Sequence, residues 1–281
     1  MLQRTCCKDL NTDVYTLITT MRVIILGANG MLGSMMTNYG KSTTHEICPL
    51  TRNEFNVLIN PIEHLDQWLT KDCCIVNCIG AIPQKRYSET EFHVLNTDFP
   101  HILTDYCKKH RVPLFHISTN CVFSGNTPNC VETDIPDAEN VYGASKAHGE
   151  PIEWATVIRC SILGPEPSSH TGLMDWFLTT KNTSVNGYTD SMWNGLTTLE
   201  LSKYIYEQID TRQFAHCLVH LYSENTLSKY EILTTLRRLY SKIIEIIPTT
   251  NGLKYYTLQS LITSPRKTIE EQLAELRETT F

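Results

Sequence analysis

The chain has 281 residues, 41% hydrophobic and 19% charged, enough to bury a large core in one big or two unequal domains. A net charge of -6 and a pI near 5.9, with no stripe dense in Lys or Arg, exclude a nucleic acid as the main partner. No run of about 18 apolar residues is present to span a membrane.

Residues 1–20 read as an N-terminal extension with no assigned chemistry. Asp9 and Asp13 fall where a signal peptide needs an unbroken apolar stretch, so a cytoplasmic location is expected. The 11 cysteines are an odd and scattered set, which suits reduced, buried thiols better than a disulfide framework. Cys73, Cys74, Cys78 and His45 lack the second paired knuckle of a zinc site, and no metal is expected.

Met21 opens the fold. The strand RVIIL at 22–26 runs straight into Gly27, Asn29, Gly30, Met31, Leu32 and Gly33, and then into helix-compatible sequence. Glycines at GxxGxxG spacing between strand and helix permit a tight turn and bring backbone N–H groups to a pyrophosphate at the positive end of the helix. A plain strand-to-helix turn is the alternative. The second apolar run, 45–50, ends in Thr51 and Arg52 with no acid to hold a ribose 2′-hydroxyl. Arg52 instead suits a 2′-phosphate, so NADPH is the expected cofactor; a solvated loop arginine is the alternative.

Further apolar runs at 73–79, 112–118 and 155–161 alternate with helix-length segments at 61–70 and 91–110. This alternation predicts an α/β fold, a Rossmann-type doubly wound parallel sheet covered on both faces, over residues 21–164. Beyond Pro165 the rhythm changes to a Ser/Thr/Asn/Gly-rich stretch at 167–198, a helix at 199–209, a short strand at 216–222 and more helices. Residues 165–281 are therefore expected to form mainly a smaller C-terminal substrate-binding cap, with some elements crossing back into the sheet domain and a pocket between the two.

Two motifs carry chemistry. Ser118, Thr119, Asn120 and Cys121 follow a buried strand, at the end where open α/β sheets bind ligands. A hydroxyl there can orient a carbonyl and stabilise the alkoxide that forms from it. Tyr142 and Lys146 are spaced to share one helix face. A free tyrosine has a pKa of about 10, and a nearby ammonium favours its phenolate. Tyr-x-x-x-Lys alone also arises as an ordinary surface pair, but with the hydroxyl cluster it specifies a reduction: hydride to a ketone carbon, a proton from Tyr142, support from Lys146, and orientation by Thr119.

Together the glycine loop, STNCVFSG, VYGASKAHGE and the segment from Trp193 through Asn194 and Gly195 to Glu200 resemble the dTDP-4-dehydrorhamnose reductase family of extended short-chain dehydrogenases, from Met21 to the C-terminus. The resemblance implies a nucleotide-sugar substrate. It places Asn77, Gly80, Ala81 and Asn96 along the cofactor channel, Thr119, Tyr142 and Lys146 at the reacting carbonyl, and Asn120, Cys121, Trp193 and Asn194 against the sugar. One departure stands out: the family reads Ser-Thr-Asp-Tyr, whereas this chain reads Ser-Thr-Asn120-Cys121.

Similar bifunctional enzymes that make GDP-fucose and UDP-rhamnose carry a cysteine at the position of Cys121, where it serves sugar epimerisation. On that likeness the favoured expectation is a 3,5-epimerase/4-reductase acting on UDP-4-keto-6-deoxyglucose. His170, beyond Leu163, Gly164 and Pro165, becomes the acid for the opposite sugar face, with Lys181 in reserve. The alternatives are a 4-reductase alone, with Cys121 a small buried thiol, and a non-catalytic NADP-binding regulatory subunit like that of methionine adenosyltransferase. No motif specifies the nucleotide base or the oligomeric state, although a homodimer is compatible.

Overall fold

The computed structural model describes residues 20–151, 153–167 and 170–279; residues 1–19 of the expected extension lie outside them. Six strands, Arg22–Leu26, Glu46–Leu50, Cys73–Asn77, Leu114–Ile117, Ala155–Arg159 and Leu218–His220, pair in parallel to form the main sheet. Numbered along the chain, their spatial order is 6-5-4-3-1-2. The winding direction reverses between the first and third strands, and ligands of open α/β sheets bind in the crevice at such a reversal.

Strand residues alternate between two cores. Val23, Ile25, Cys74 and Val76 face one cluster, shared with Leu201, Ile205 and Tyr206. Ile24, Leu26, Cys73 and Ile75 face the other, shared with Phe99, Leu103 and Tyr106. Cys73 and Cys74 therefore point to opposite faces of the sheet. Both faces are covered, which is why Cys73–Asn77 and Ala155–Arg159 are buried along their whole lengths and read as continuous apolar runs.

Two helical expectations change in detail. The segment expected at 61–70 is a 3-10 stretch, Ile62–Trp68, in which Leu65 is buried and Ile62 and Trp68 pack partly against the same core. The long segment at 91–110 is α-helix Glu89–His93, a π turn Val94–Asp98 and α-helix Phe99–His110, started by a capping box between Ser88 and Glu91.

Past residue 164 the chain serves both halves. Helix Thr198–Asp210 packs on helix Met31–Gly40, with the Tyr206 hydroxyl donating to the Met36 carbonyl at 3.0 Å, and Leu218–His220 is the sixth strand of the main sheet. The remaining elements build a separate core around Phe177, Trp193, Leu233, Leu236 and Leu273. Among the described residues no helix is long and apolar enough to cross a membrane.

Candidate active site

The glycine loop leaves the first strand with Gly27 at φ +76°, a left-handed conformation that favours glycine. Gly30 is the N-cap of helix Met31–Gly40 and makes no side-chain cap bond, so no capping side chain competes with an anion for the first-turn N–H groups. Gly27, Asn29 and Gly30 line a cleft of about 580 Å³ together with Arg52, Lys85 and Arg86. Arg52 follows the second strand as expected and donates to the Tyr87 hydroxyl at 3.1 Å. A glycine-built anion cradle with three cations beside it fits a phosphorylated dinucleotide.

Not every expected cofactor residue faces this cleft. Leu32 is in the core, and Met31 lines a second cleft instead. Asn77, Ala81 and Asn96 are fully buried behind the wall formed by Cys78, Ile79 and Gly80. Asn96 accepts from the Ala81 N–H at 2.8 Å and donates to the Ala81 carbonyl and the Ser145 hydroxyl, each at 3.1 Å. Asn77 accepts from Ile79 N–H at 3.1 Å and donates to His116 Nδ1 at 3.0 Å. These two amides are fully buried and brace the channel wall through those bonds.

At the end of the fourth strand, Thr119 Oγ1 accepts from Cys121 N–H at 3.1 Å and caps the turn Asn120–Val122. Helix Val141–His148 starts at Asn140, whose side chain accepts from Gly143 N–H at 2.8 Å. Gly143 lies so close to this turn that a β-carbon there would meet the Cys121 carbonyl oxygen at 2.1 Å. That approach brings Tyr142 to Thr119 and Cys121. Burial raises the Tyr142 phenol well above its ordinary pKa, Cys121 adds to the rise, and a hydrogen bond with Thr119 opposes it.

The Tyr-x-x-x-Lys spacing predicts a Tyr142 pKa lowered by Lys146, whereas the Tyr142 pKa is raised. Burial dominates, and the Lys146 ammonium is turned onto the Ile117 carbonyl at 2.6 Å. Burial pulls Lys146 down to about 8, against the opposing pull of Glu150. Tyr142 thus keeps its proton at neutral pH, as a proton donor must.

The second cleft, of about 440 Å³, is lined by Asn120, Cys121, Trp193, Lys229 and Tyr256. Trp193 is fixed by its indole N–H donating to Ser161 Oγ at 2.7 Å. Cys121 is half-buried; burial raises its thiol, while a hydrogen bond with Thr119 and the charge of Lys229 lower it. Asn194 does not face the cleft. It exchanges bonds of 2.8 and 2.9 Å with the Leu258 backbone, a clamp between two segments of the cap.

His170 is also placed elsewhere. Its side chain is 62% exposed beside Asp175, with Nδ1 3.7 Å from a carboxylate oxygen, and it is absent from the cleft lining. His170 has a φ of +50°, and Glu166 and Thr171 line the cleft. The reserve candidate Lys181 is exposed.

Sequence reasoning missed Lys229, Glu166 and Lys85. Lys229 Nζ lies 5.4 Å from the Tyr256 ring centre and 6.0 Å from that of Tyr188, and it also borders an adjoining hollow with Trp176 and Tyr188. Glu166, buried at the second cleft, pairs at 3.0 Å with Lys85 of the first. The only sequence signal near Lys229 is the capping box of Ser228 and Glu231, which marks a helix start but not what that start faces. Among the described residues no group of three or more His, Cys, Asp or Glu side chains is arranged to hold a metal ion.

The RmlD substrate binding domain family matches residues 21–240. A dTDP-4-dehydrorhamnose reductase of Mycolicibacterium smegmatis is 28% identical over 139 residues, 47% of this chain and 41% of that protein. Methionine adenosyltransferase 2 subunit beta of Bos taurus is 29% identical over 156 residues, 51% of this chain and 45% of that protein. The matches thus span less than half the length of these curated relatives. Among solved structures, a dTDP-4-dehydrorhamnose reductase of Bacillus anthracis in complex with NADP superposes with a TM-score of 0.79 at 20% identity, covering 92% of this chain and 98% of that one. An orthologue from Clostridium acetobutylicum gives 0.77 at 18%, covering 92% and 99%. The fold is shared with these reductases over nearly their whole length.

Proposed function

The chain belongs to the RmlD substrate binding domain family, and from that premise we propose that it is an NADPH-dependent reductase of a nucleotide-linked 4-keto-6-deoxy sugar of the dTDP-4-dehydrorhamnose kind. The observation that carries this reading is the convergence of Thr119, Tyr142 and Lys146 at the carboxyl ends of the strands, between the cationic glycine-loop cleft and the cleft of Trp193 and Lys229.

When bound, the reduced nicotinamide supplies hydride. The residues of this chain do the rest. Gly27, Gly30 and the helix start hold the pyrophosphate, and Arg52 holds the 2′-phosphate, with Lys85 and Arg86 beside it. Thr119 donates to the ketone oxygen, and Tyr142 gives its proton to that oxygen as negative charge develops. Lys146, next on the same helix face, supports Tyr142. Trp193 and Asn120 bound the sugar, and Lys229 faces the phosphates of the substrate, residues 165–281 supplying most of this side.

The reading stops at 4-reduction. Epimerisation at C3 and C5 needs acid-base groups on both sugar faces; Cys121 is present, but burial raises its thiol, and His170 lies outside the cleft. The preference for a uridine nucleotide likewise has no residue behind it. The likeness to the methionine adenosyltransferase subunit brings the regulatory reading forward, and the complete set of Thr119, Tyr142 and Lys146 weighs against it. The test is NADPH consumption by purified protein given dTDP-4-dehydrorhamnose or, separately, the unepimerised 4-keto-6-deoxyglucose nucleotides. Turnover of the first alone is expected. NADPH binding without turnover of any of them would overturn the reductase reading in favour of the regulatory one.

A further inference from the structure

The residues that end the fourth strand are gripped from two sides. Lys146 Nζ donates to the Ile117 carbonyl at 2.6 Å, and the hydroxyl of the next residue, Ser118, donates to Glu150 Oε1 at 2.6 Å. Glu150 in turn receives both arms of Arg159, Nε at 2.8 Å and Nη2 at 2.6 Å, and each side chain of this pair is only 4% exposed. Arg159 stands 5.2 Å from the Phe123 ring centre and donates Nη1 to His220 Nε2 at 3.3 Å. The other ring nitrogen of His220 faces the carbonyl oxygens of Cys130 and Gln259, so Nδ1 carries the proton and Nε2 is the acceptor.

A buried ion pair of this kind is poor evidence for stability, because apolar residues of similar volume often serve as well or better. Its position suggests another use. Resting on the reductase reading of Lys146, we propose that Glu150 is a positioning residue: pinned by Arg159 and Ser118, its carboxylate is the counter-charge that holds the buried ammonium of Lys146 aimed along the end of the fourth strand.

The other titratable groups around Lys146 do not supply that charge. Cys78 and Cys160, beyond the third and fifth strands, are buried thiols pushed up to about 12. His116 on the fourth strand is buried and held far below its usual range, and Tyr142 on the same helix keeps its proton. Glu150 is the carboxylate that acts on Lys146, and it opposes the downward pull of burial. Neutralising it leaves burial unopposed, so the ammonium loses its proton at lower pH.

The experiment is an NMR titration of the full chain carrying lysine labelled with carbon-13 at Cε, with the Lys146 signal assigned by its loss in Lys146→Arg. Glu150→Gln is expected to lower the Lys146 midpoint by about one pH unit or more and to move the alkaline limb of the reduction rate in the same direction. Glu150→Asp, which keeps the charge, is expected to stay near wild type in both. If Glu150→Gln fails to fold because Arg159 is left unpaired, the double replacement Glu150→Gln with Arg159→Met removes both charges and is expected to show a smaller fall in the same direction, since no uncompensated cation then opposes the ammonium. A wild type that reduces its substrate, but whose Lys146 midpoint ignores these replacements, overturns the positioning role alone. A wild type without reduction overturns the reading on which the role rests.

Discussion

Gly33 lies against Gly27 so closely that a β-carbon on it would meet the Gly27 carbonyl oxygen at 2.2 Å and the carbonyl carbon at 2.8 Å. Helix and loop touch backbone to backbone, with no side chain able to yield. Gly33→Ala is expected to force them apart, at an overpacking cost of about 1–3 kcal/mol, and to displace the N–H groups proposed for the pyrophosphate. Thermal melts and NADPH fluorescence titration check both effects; an unchanged affinity would remove the loop from cofactor binding.

Tyr142→Phe keeps the ring in place and deletes the proton donor. Turnover is expected to fall about 100-fold or more, in the range of general acid catalysis, with NADPH affinity nearly unchanged. Single-turnover reduction is the measurement, and a near-normal rate would remove Tyr142 from the chemistry.

Lys146→Met should be more stable and inactive. The fold holds Lys146 at about 8 rather than 10.5. Below pH 8 folding must therefore bury a charge that the unfolded chain keeps in water. This destabilisation is fully present below pH 8 and is relieved as pH rises from 8 towards 10.5. It amounts to about 3 kcal/mol at most, and replacing lysine also forfeits the bond to Ile117, worth about 1 kcal/mol. Denaturant titration at pH 7 should show a net gain of about 1–2 kcal/mol that shrinks towards pH 10. A loss of stability at pH 7 would contradict the sign.

Arg52→Ala should weaken NADPH more than NADH, since only NADPH carries the 2′-phosphate that a guanidinium grips through charge-assisted bonds. With Lys85 and Arg86 in the same cleft, the loss should lie at the low end for a charged hydrogen bond, about 1.5 kcal/mol. Competitive binding of the two cofactors measures it, and equal losses would mean that Arg52 does not read the phosphate.

Cys121→Ser should reduce dTDP-4-dehydrorhamnose at close to the wild-type rate. In deuterated solvent neither protein should introduce deuterium at C3 or C5 of a 4-keto-6-deoxyglucose nucleotide. Mass spectrometry of the recovered sugar decides, and wild-type exchange that is lost in Cys121→Ser would restore the coupled epimerase.

The main sheet is legible because its central strands, such as Cys73–Asn77 and Ala155–Arg159, are buried on both faces and so appear as uninterrupted apolar runs, and the glycine loop because close backbone contact leaves glycine as its signature. Thr119, Tyr142 and Lys146 were legible because local geometry, a strand end and one helical turn, fixes their spacing. Lys229, Glu166 and Lys85 were not, since they reach the site from segments far apart in the chain whose local patterns indicate only helix starts and turns. Asn96 and Asn194 resemble ligand-facing amides in sequence, and only their bonds to Ala81 and Leu258 show that they hold the walls. The direction of the Tyr142 shift was misjudged because a sequence shows the neighbouring charge but not the depth of burial.

The sheet also constrains how the chain reaches this state. Its sixth strand, Leu218–His220, pairs with Ala155–Arg159, and helix Thr198–Asp210 covers the face made by Val23, Ile25 and Val76. On the ribosome the glycine loop, Tyr142 and Lys146 all emerge before that helix, and the apolar face is only partly covered, by Leu32 and Met36, until residues 198–210 follow. A fragment ending near residue 164 would hold most of the proposed cofactor and proton-transfer residues and still lack the surface that closes their core. Pairings this distant in sequence are formed late and slowly, which makes the interval before they form the time when a nascent chain is most exposed to aggregation.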